Sequence, residues 1–342
     1  MNGPPVDAGA IEQAARLLHD GKLVAFPTET VYGLGADADN VRAVEAIFAA
    51  KGRPADHPVI VHVADASAAA AWANPWPAAA RRLADRFWPG ALTLVVARSA
   101  RAHDALTGAQ SSVGLRCPSH PWAQALLRAL CRDAGDPSRA IAAPSANRFG
   151  QLSPTRAEHV LADLRIGPDE PVELVLDGGP CPVGIESTIV DLTSPLPRLL
   201  RPGSITREQI ERTLGCPVGL AAADDASAPR APGRIARHYA PRTPLELVDR
   251  EQLAARVRDL GATRVAVLAA EPLPPVVEHE WIAPATPDLY AHHLYEFLHQ
   301  MDASGAERLL VERPPAQPAW AAVHDRLERA AAALPGKFDD AD

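Results

Sequence analysis

The chain of 342 residues carries 34 Lys and Arg against 42 Asp and Glu, a formal net charge of -8, with 47% hydrophobic and 22% charged residues. That length suggests two domains with ordinary soluble cores, and the acidic balance argues against a non-specific grip on nucleic acid while leaving room for a local basic pocket. No apolar run reaches membrane-spanning length, and the opening MNGPPVDAGAIEQAARLL lacks the charged and apolar regions of a signal peptide, so a cytoplasmic enzyme with no membrane role is expected.

Residues 9–20 read as a helix ending at Gly21, and the stretch Lys22 to Val63 then organises the rest. Leu23 to Phe26 is a short apolar strand stopped by Pro27. Thr28, Glu29, Thr30 and Tyr32 bring hydroxyls and a carboxylate to its C-terminal end, where ligands sit in open α/β sheets, and Gly33 and Gly35 are expected to let the backbone turn closely. Asp39 or Asn40 can cap a helix whose apolar positions Val41, Val44, Ile47 and Phe48 recur at helical spacing, leading into Lys51-Gly52-Arg53-Pro54. Lysine occurs only at 22, 51 and 337, so Lys51 stands out in an arginine-biased chain. An ammonium beside a guanidinium suits a phosphate-rich ligand, although a solvated Lys-Gly-Arg turn is the ordinary alternative.

Val59 to Val63 reads as a second strand, with His62 between two valines. A helix over 77–88 follows, then strands at Ala91 to Ala97 and Ser111 to Arg116, the latter delivering Arg116 before Cys117-Pro118, then a helix over Pro121 to Leu130. Pro144-Ser145-Ala146-Asn147 and Ser153-Pro154-Thr155 form hydroxyl-rich turns able to bind phosphate or ribose, or simply to cap. Short strands at Leu174 to Leu176, Ile189 to Leu192 and Leu199 to Ile205 carry Ser187 and Arg201 at their ends. Residues 215–244, rich in Ala, Pro and Asp, read as a linker, except that Pro232 to Pro241 holds two arginines, a histidine and a tyrosine that a spacer does not need. Beyond it, strands at Leu245 to Val248, Arg264 to Ala269 and Arg308 to Val311 alternate with helices near 249–260, 287–303 and 318–334.

Several chemistries are disfavoured. The four cysteines, at 117, 131, 181 and 216, form no CxxC pair, and His292, His293 and His299 on one helix lack a completing carboxylate or cysteine, so no metal site is assigned. No lysine is followed by Ser or Thr as a Walker A loop requires, Gly33 to Ala38 lacks the third glycine of GxGxxG, and no G-x-S-x-G elbow occurs. What remains is Lys51, Arg53, Arg116 and Arg201 with hydroxyls from Thr30, Ser112, Ser145, Ser153 and Ser187, a set suited to polyphosphate binding and transfer by positioning and charge neutralisation.

The motifs PTETVYGLG, KGRP, PSAN with SPT, GIESTIVDL, RPGSI and PGRIARHYAP, in this order, resemble the threonylcarbamoyl-adenylate synthase family, the long two-domain form of the YrdC-like superfamily. The resemblance is strong over residues 11 to about 243 and otherwise one of position and class. It implies an α/β fold with a YrdC-like twisted mixed sheet around a basic cavity (1–214), a linker acting as an active-site lid (215–243) and a small Rossmann-like α/β domain (244–342). It implies an enzyme that joins L-threonine, bicarbonate or CO2, and ATP into threonylcarbamoyl-AMP with release of pyrophosphate, other proteins then transferring the group to the tRNA adenosine beside the anticodon, with little or no direct tRNA binding by this chain. Lys51 and Arg53 would be the catalytic cations. Thr30, His62, Arg116, Ala143 and Ser187 would hold threonine. Arg53, His57, Ser112, Ser145, Asn147, Ser153, Arg201 and Tyr239 would hold ATP, with Mg2+ on the phosphates.

Two positions depart from the family's pattern. His57 stands where Asn is common after KGRP, and Ala143 where a Thr or Ser is common before PSAN, so a threonine contact there must come from the backbone. The chief alternative is an RNA-binding module of the same fold without adenylation, against which the acidic total and the lack of aromatic residues among basic ones weigh. A carbamoyltransferase of the hydrogenase-maturation type would carry CxxC pairs that this chain lacks, and a paralogue that has lost the reaction is the third alternative.

Overall fold

The computed structural model describes residues 4–222, 225, 227–233, 238–274 and 277–332. These fall into two compact units, the first running to Phe149 and from Ser153 to Ile235, the second comprising Gly150–Leu152 and residues from Ala236 on. No helix among the described residues is long and apolar enough to cross a membrane.

The first unit is built on ten strands: β1 Leu23–Phe26, β2 Gly33–Asp37, β3 Ile60–His62, β4 Leu92–Ala97, β5 Ser112–Arg116, β6 Ile141–Ala142, β7 Val172–Val175, β8 Thr188–Asp191, β9 Arg198–Arg201 and β10 Gly219–Leu220. Their order is β10-β9-β8-β4-β5-β3-β6-β2-β1-β7, with parallel pairs β1–β7, β3–β5, β4–β8 and β9–β10 and the remaining neighbours antiparallel. The sheet is therefore mixed. Val24 and Phe26 pack with Leu18, Leu126 and Leu130 of the helices Ala8–His19 and Pro121–Ala134, while Leu23, Ala25, Leu94 and Leu115 join a larger cluster with Ile47 and Trp72. Alternation along each strand sends neighbouring residues to opposite layers.

The expected turn at Gly33 and Gly35 is instead the extended strand β2, and neither glycine has a positive φ. Their lack of a side chain serves packing. A Cβ on Gly35 would stand 2.9 Å from Phe26 Cε1 and 3.0 Å from Ile141 Cγ2, so the strand can lie against Phe26 only with glycine there. Asn40 is the residue that caps the helix Val41–Lys51, accepting from Ala43 N at 3.2 Å, and Gly52 ends it at φ 61, a left-handed position that favours glycine.

Part of the interval read as linker belongs to the first unit. β10 extends the sheet, and Ala231, with Ala221 and Ala228, packs on Val95, Ile189 and Leu200. Gln110 pairs with the main chain of Arg230 twice, Nε2 donating to its carbonyl at 3.1 Å and Oε1 accepting from its N–H at 2.6 Å, and Arg198 Nη1 donates to Ser227 Oγ at 2.8 Å.

The second unit has a four-stranded sheet, β11 Leu245–Val248, β12 Val265–Ala269, β13 His279–Ile282 and β14 Arg308–Glu312, ordered β11-β14-β12-β13 with every pair parallel. The helices Arg250–Leu260, Pro287–Asp302 and Ala321–Ala331 alternate with the strands, as a small Rossmann-like α/β domain requires.

Candidate active site

The first unit gathers its motif residues at the ends of adjacent strands. His62 and Arg116 close the parallel strands β3 and β5 and are direct register partners. Because side chains alternate, Ser112, Gly114 and Arg116 share one face of β5, spanning about 13 Å at roughly 3.3 Å per residue. Ser112 and Gly114 line a cleft with Ile60, Thr93, Val95 and Ile189, whose outer wall is Arg230, Ala231 and Pro232. A side chain on Gly114 would grow into this floor, its Cβ meeting Thr93 Cγ2 at 3.5 Å. Thr93 Oγ1 lies 2.7 Å from Ser187 Oγ, and Arg201 donates from Nε to the Ser187 carbonyl at 3.0 Å and from Nη2 to its hydroxyl at 3.2 Å. The other guanidinium nitrogen of Arg201 donates to Pro232 O at 3.2 Å, so this arginine joins the hydroxyl to the outer wall.

The PTET turn is held by its own hydroxyls. Thr28 Oγ1 donates to Val31 O at 2.6 Å, accepts from the N–H groups of Thr30 and Val31, and lies 2.9 Å from Thr30 Oγ1. Its surroundings come from the other motifs: Tyr32 N donates to Pro154 O, Ala146 N to Tyr32 O, Leu34 N to Pro144 O and Val183 N to Glu29 O, each at 2.8 Å. Motifs more than a hundred residues apart in sequence thus form one surface.

Lys51 is 3% exposed and donates to the carbonyls of Ser145, at 2.5 Å, and Asn147. Burial, and next the positive charge of Arg53, push its ammonium well below the usual lysine value. In this structure Lys51 ties the end of its helix to the PSAN turn. Arg53 donates to Pro58 O at 2.9 Å and lies over the Phe149 ring at 5.7 Å, with the His57 ring 5.3 Å from the same phenyl. Burial and Arg53 lower the His57 pKa, favouring the neutral ring. Asn147 Nδ2 donates to Arg148 O at 2.7 Å, and Ser153 Oγ donates to Glu186 Oε1 at 2.5 Å.

His62 is buried, with Nδ1 lacking a hydrogen-bond partner among the described residues. Burial and the nearby Arg116 push its pKa down to about 3, so the ring stays neutral in the working range. Since the folded value lies below the unfolded 6.5, the unfolded chain takes up a proton that the folded one refuses once the pH drops below 6.5. Stability is lost from there down toward pH 3. At pH 5 this amounts to about 2 kcal/mol. Urea unfolding of the chain and of His62→Gln at pH 7 and pH 5 checks it: the acid-induced loss should shrink by about that amount in the variant, and equal losses in both would contradict the buried neutral ring.

Comparison with known proteins agrees with this convergence of motifs. The Sua5/YciO/YrdC family profile, described as "Telomere recombination", matches residues 16–203, and that of the "Threonylcarbamoyl-AMP synthase, C-terminal domain" matches residues 205–332. This chain belongs to the Sua5/YciO/YrdC family. It is 41% identical to the threonylcarbamoyl-AMP synthase of Bacillus subtilis, over 94% of this chain and 92% of that protein, and 37% identical to that of Pyrococcus abyssi, over 95% of each. A crystal structure of P. abyssi Sua5 complexed with L-threonine matches with a TM-score of 0.84 and 36% identity, covering 96% of both chains.

Within this Sua5-like framework two of the expected positions take on a more specific form. The N–H of Ala143 is bonded to Ile60 O at 3.0 Å, so any substrate contact from that residue falls to its carbonyl. Tyr239 belongs to the second unit, at φ 63, where its ring is 5.9 Å from that of Tyr295 and faces the Arg326 guanidinium at 5.3 Å. Arg234 and Arg237 of the same motif lie outside the described residues. Sequence reasoning passed over Thr93, Gln110, Phe149 and the pairing of Glu29 with Arg116. Thr93 carried a signal, a lone hydroxyl in an otherwise apolar strand; the others depend on contacts distant in sequence. Among the described residues no cluster of three or more His, Cys, Asp or Glu is placed to hold a metal ion.

Proposed function

We infer that this chain is a threonylcarbamoyl-AMP synthase, a nucleotidyltransferase that forms threonylcarbamoyl-AMP and pyrophosphate from L-threonine, bicarbonate or CO2, and ATP. The observation that carries the reading is the face of β5, where Arg116 stands at one end beside His62 and Ser112 opens a cleft at the other, in a chain 41% identical over nearly its whole length to an enzyme of that name.

Threonine would lie at the Arg116 end, its α-carboxylate on the guanidinium, with Thr30, His62, Ser187 and the Ala143 carbonyl around it. The nucleotide would lie toward Ser112, with Arg53, His57, Ser145, Asn147, Ser153 and Arg201 about it. Mg2+ would be held by phosphate oxygens, the ligands this hard cation prefers. The threonine amine becomes a carbamate, and a carbamate oxygen then attacks the α-phosphorus with pyrophosphate leaving. Both partners are anions. Arg53 would neutralise the phosphates, while Lys51 keeps the Ser145–Asn147 turn in place for them. Bicarbonate or CO2 as the entering species, cytoplasmic location and delivery of the product to tRNA-modifying proteins belong to the same proposal.

Incubating the protein with ATP, L-threonine and 13C-bicarbonate and analysing the products by mass spectrometry tests this reading. Labelled threonylcarbamoyl-AMP is the expected product; its absence, with folded protein and Mg2+ present, would overturn the reading.

A further inference from the structure

We propose that Glu29 is the acceptor for the substrate's α-ammonium, so that Glu29 and Arg116 together form a site for a zwitterionic amino acid rather than for a carboxylate alone. The proposal rests on the threonine reading above and assigns a role to a side chain that it leaves unused.

The two groups form a buried pair, with side-chain exposures of 6% and 4%, and Glu29 Oε1 stands 2.7 Å from Arg116 Nη2. Yet the approach is off the line of the N–H bonds: both Oε1 and Nη2 lack a hydrogen-bond partner among the described residues. Other atoms of both residues are held. Glu29 Oε2 accepts from Ser119 N at 3.0 Å, its carbonyl accepts from Val183 N at 2.8 Å, and Arg116 Nε donates to Gly90 O at 3.3 Å. A buried pair that served stability alone would be expected to satisfy its own donors and acceptors, since an unsatisfied charged group is costly. Here one acceptor and one donor of opposite charge are left side by side.

A zwitterion matches that arrangement. Its carboxylate accepts from Arg116 and its ammonium donates to Glu29 Oε1 in the first complex, before the amine gives up its protons to become the carbamate, and in that complex the site keeps a net charge of zero. A simple carboxylate would instead bring an uncompensated negative charge next to Glu29, which the low dielectric of a buried site penalises. Arg116 therefore confers affinity for the acid, and Glu29 confers selectivity for an amino acid over an acid lacking the amine. His62, neutral and with an Nδ1 that no described residue bonds, adds no positive charge that would undo this selectivity.

The test is calorimetric titration of the whole protein with L-threonine and with its desamino analogue 3-hydroxybutanoate, repeated on Glu29→Gln and Glu29→Asp. The expected result is that the unaltered protein prefers threonine by tenfold or more, that Glu29→Gln loses most of this preference by weakening threonine binding alone, and that Glu29→Asp retains part of it. Equal weakening of both ligands in Glu29→Gln would show that Glu29 only orients Arg116, and would overturn the proposal. So would an unchanged preference. If Glu29→Gln does not fold, equal affinity of the unaltered protein for the two ligands still overturns it. Failure of the unaltered protein to bind L-threonine at all would instead strike the functional reading on which the proposal rests.

Discussion

Arg116→Ala is expected to lower kcat/KM for threonine on the order of 10³-fold and to destabilise the protein by about 3–5 kcal/mol. The two effects have separate origins. The first is the loss of the charge-assisted contact proposed for the substrate carboxylate, from a guanidinium that is 4% exposed and fixed through Nε to Gly90 O. The second is the isolation of Glu29, which would be left as a buried carboxylate without its cation. Arg116→Lys separates them. It keeps the charge beside Glu29 and should recover most of the stability, while the lost planar fork still reduces activity roughly 10–100-fold. Steady-state kinetics with thermal unfolding on both variants checks this. Full activity in Arg116→Lys would remove the carboxylate role assigned to the fork.

The second large effect is expected from Lys51→Met. Its ammonium donates to the carbonyls of Ser145 and Asn147, and removing it leaves one buried and one part-buried acceptor without that donor, a loss of up to roughly 1–3 kcal/mol each. Methionine also lifts the desolvation of a buried charge, the same burial that depresses the lysine pKa, which offsets part of the loss. A net destabilisation of about 2 kcal/mol, or a Tm lower by roughly 4–8 °C, is expected. Activity should fall about 100-fold as the PSAN turn loses its position relative to the nucleotide. A variant as stable as the unaltered protein, but with kcat alone reduced, would place Lys51 on the phosphates instead of on the turn.

The contrast between Lys51 and Arg116 indicates how much of the site was legible in the sequence. Both stood out as candidates, Lys51 because only three lysines occur in the chain and Arg116 because it ends a strand. The role proposed for Arg116 follows from that place. The partners of Lys51, by contrast, are main-chain atoms nearly a hundred residues away, and main-chain acceptors leave no mark in side-chain identity. The fold divides similarly. Periodic segments such as Pro121–Ala134, Leu92–Ala97 and Leu245–Val248 were readable because their apolar spacing is their structure. β2 was not, since its glycines mark close approach to Phe26 and read locally as a turn. Residues 227–233 look like a spacer in composition, but they are fastened by the Gln110 amide to Arg230 and by Arg198 to Ser227, pairings that no local pattern encodes. Glu29 was visible as a carboxylate at a strand end, and its proximity to Arg116 came only with the folded sheet.

The most direct test of the synthase account is the release of pyrophosphate from ATP by the purified protein, with and without L-threonine and bicarbonate, alongside Arg53→Ala. The account predicts release that requires both additions and is lost in the variant. Release independent of threonine, or none at all from folded protein supplied with Mg2+, would contradict it.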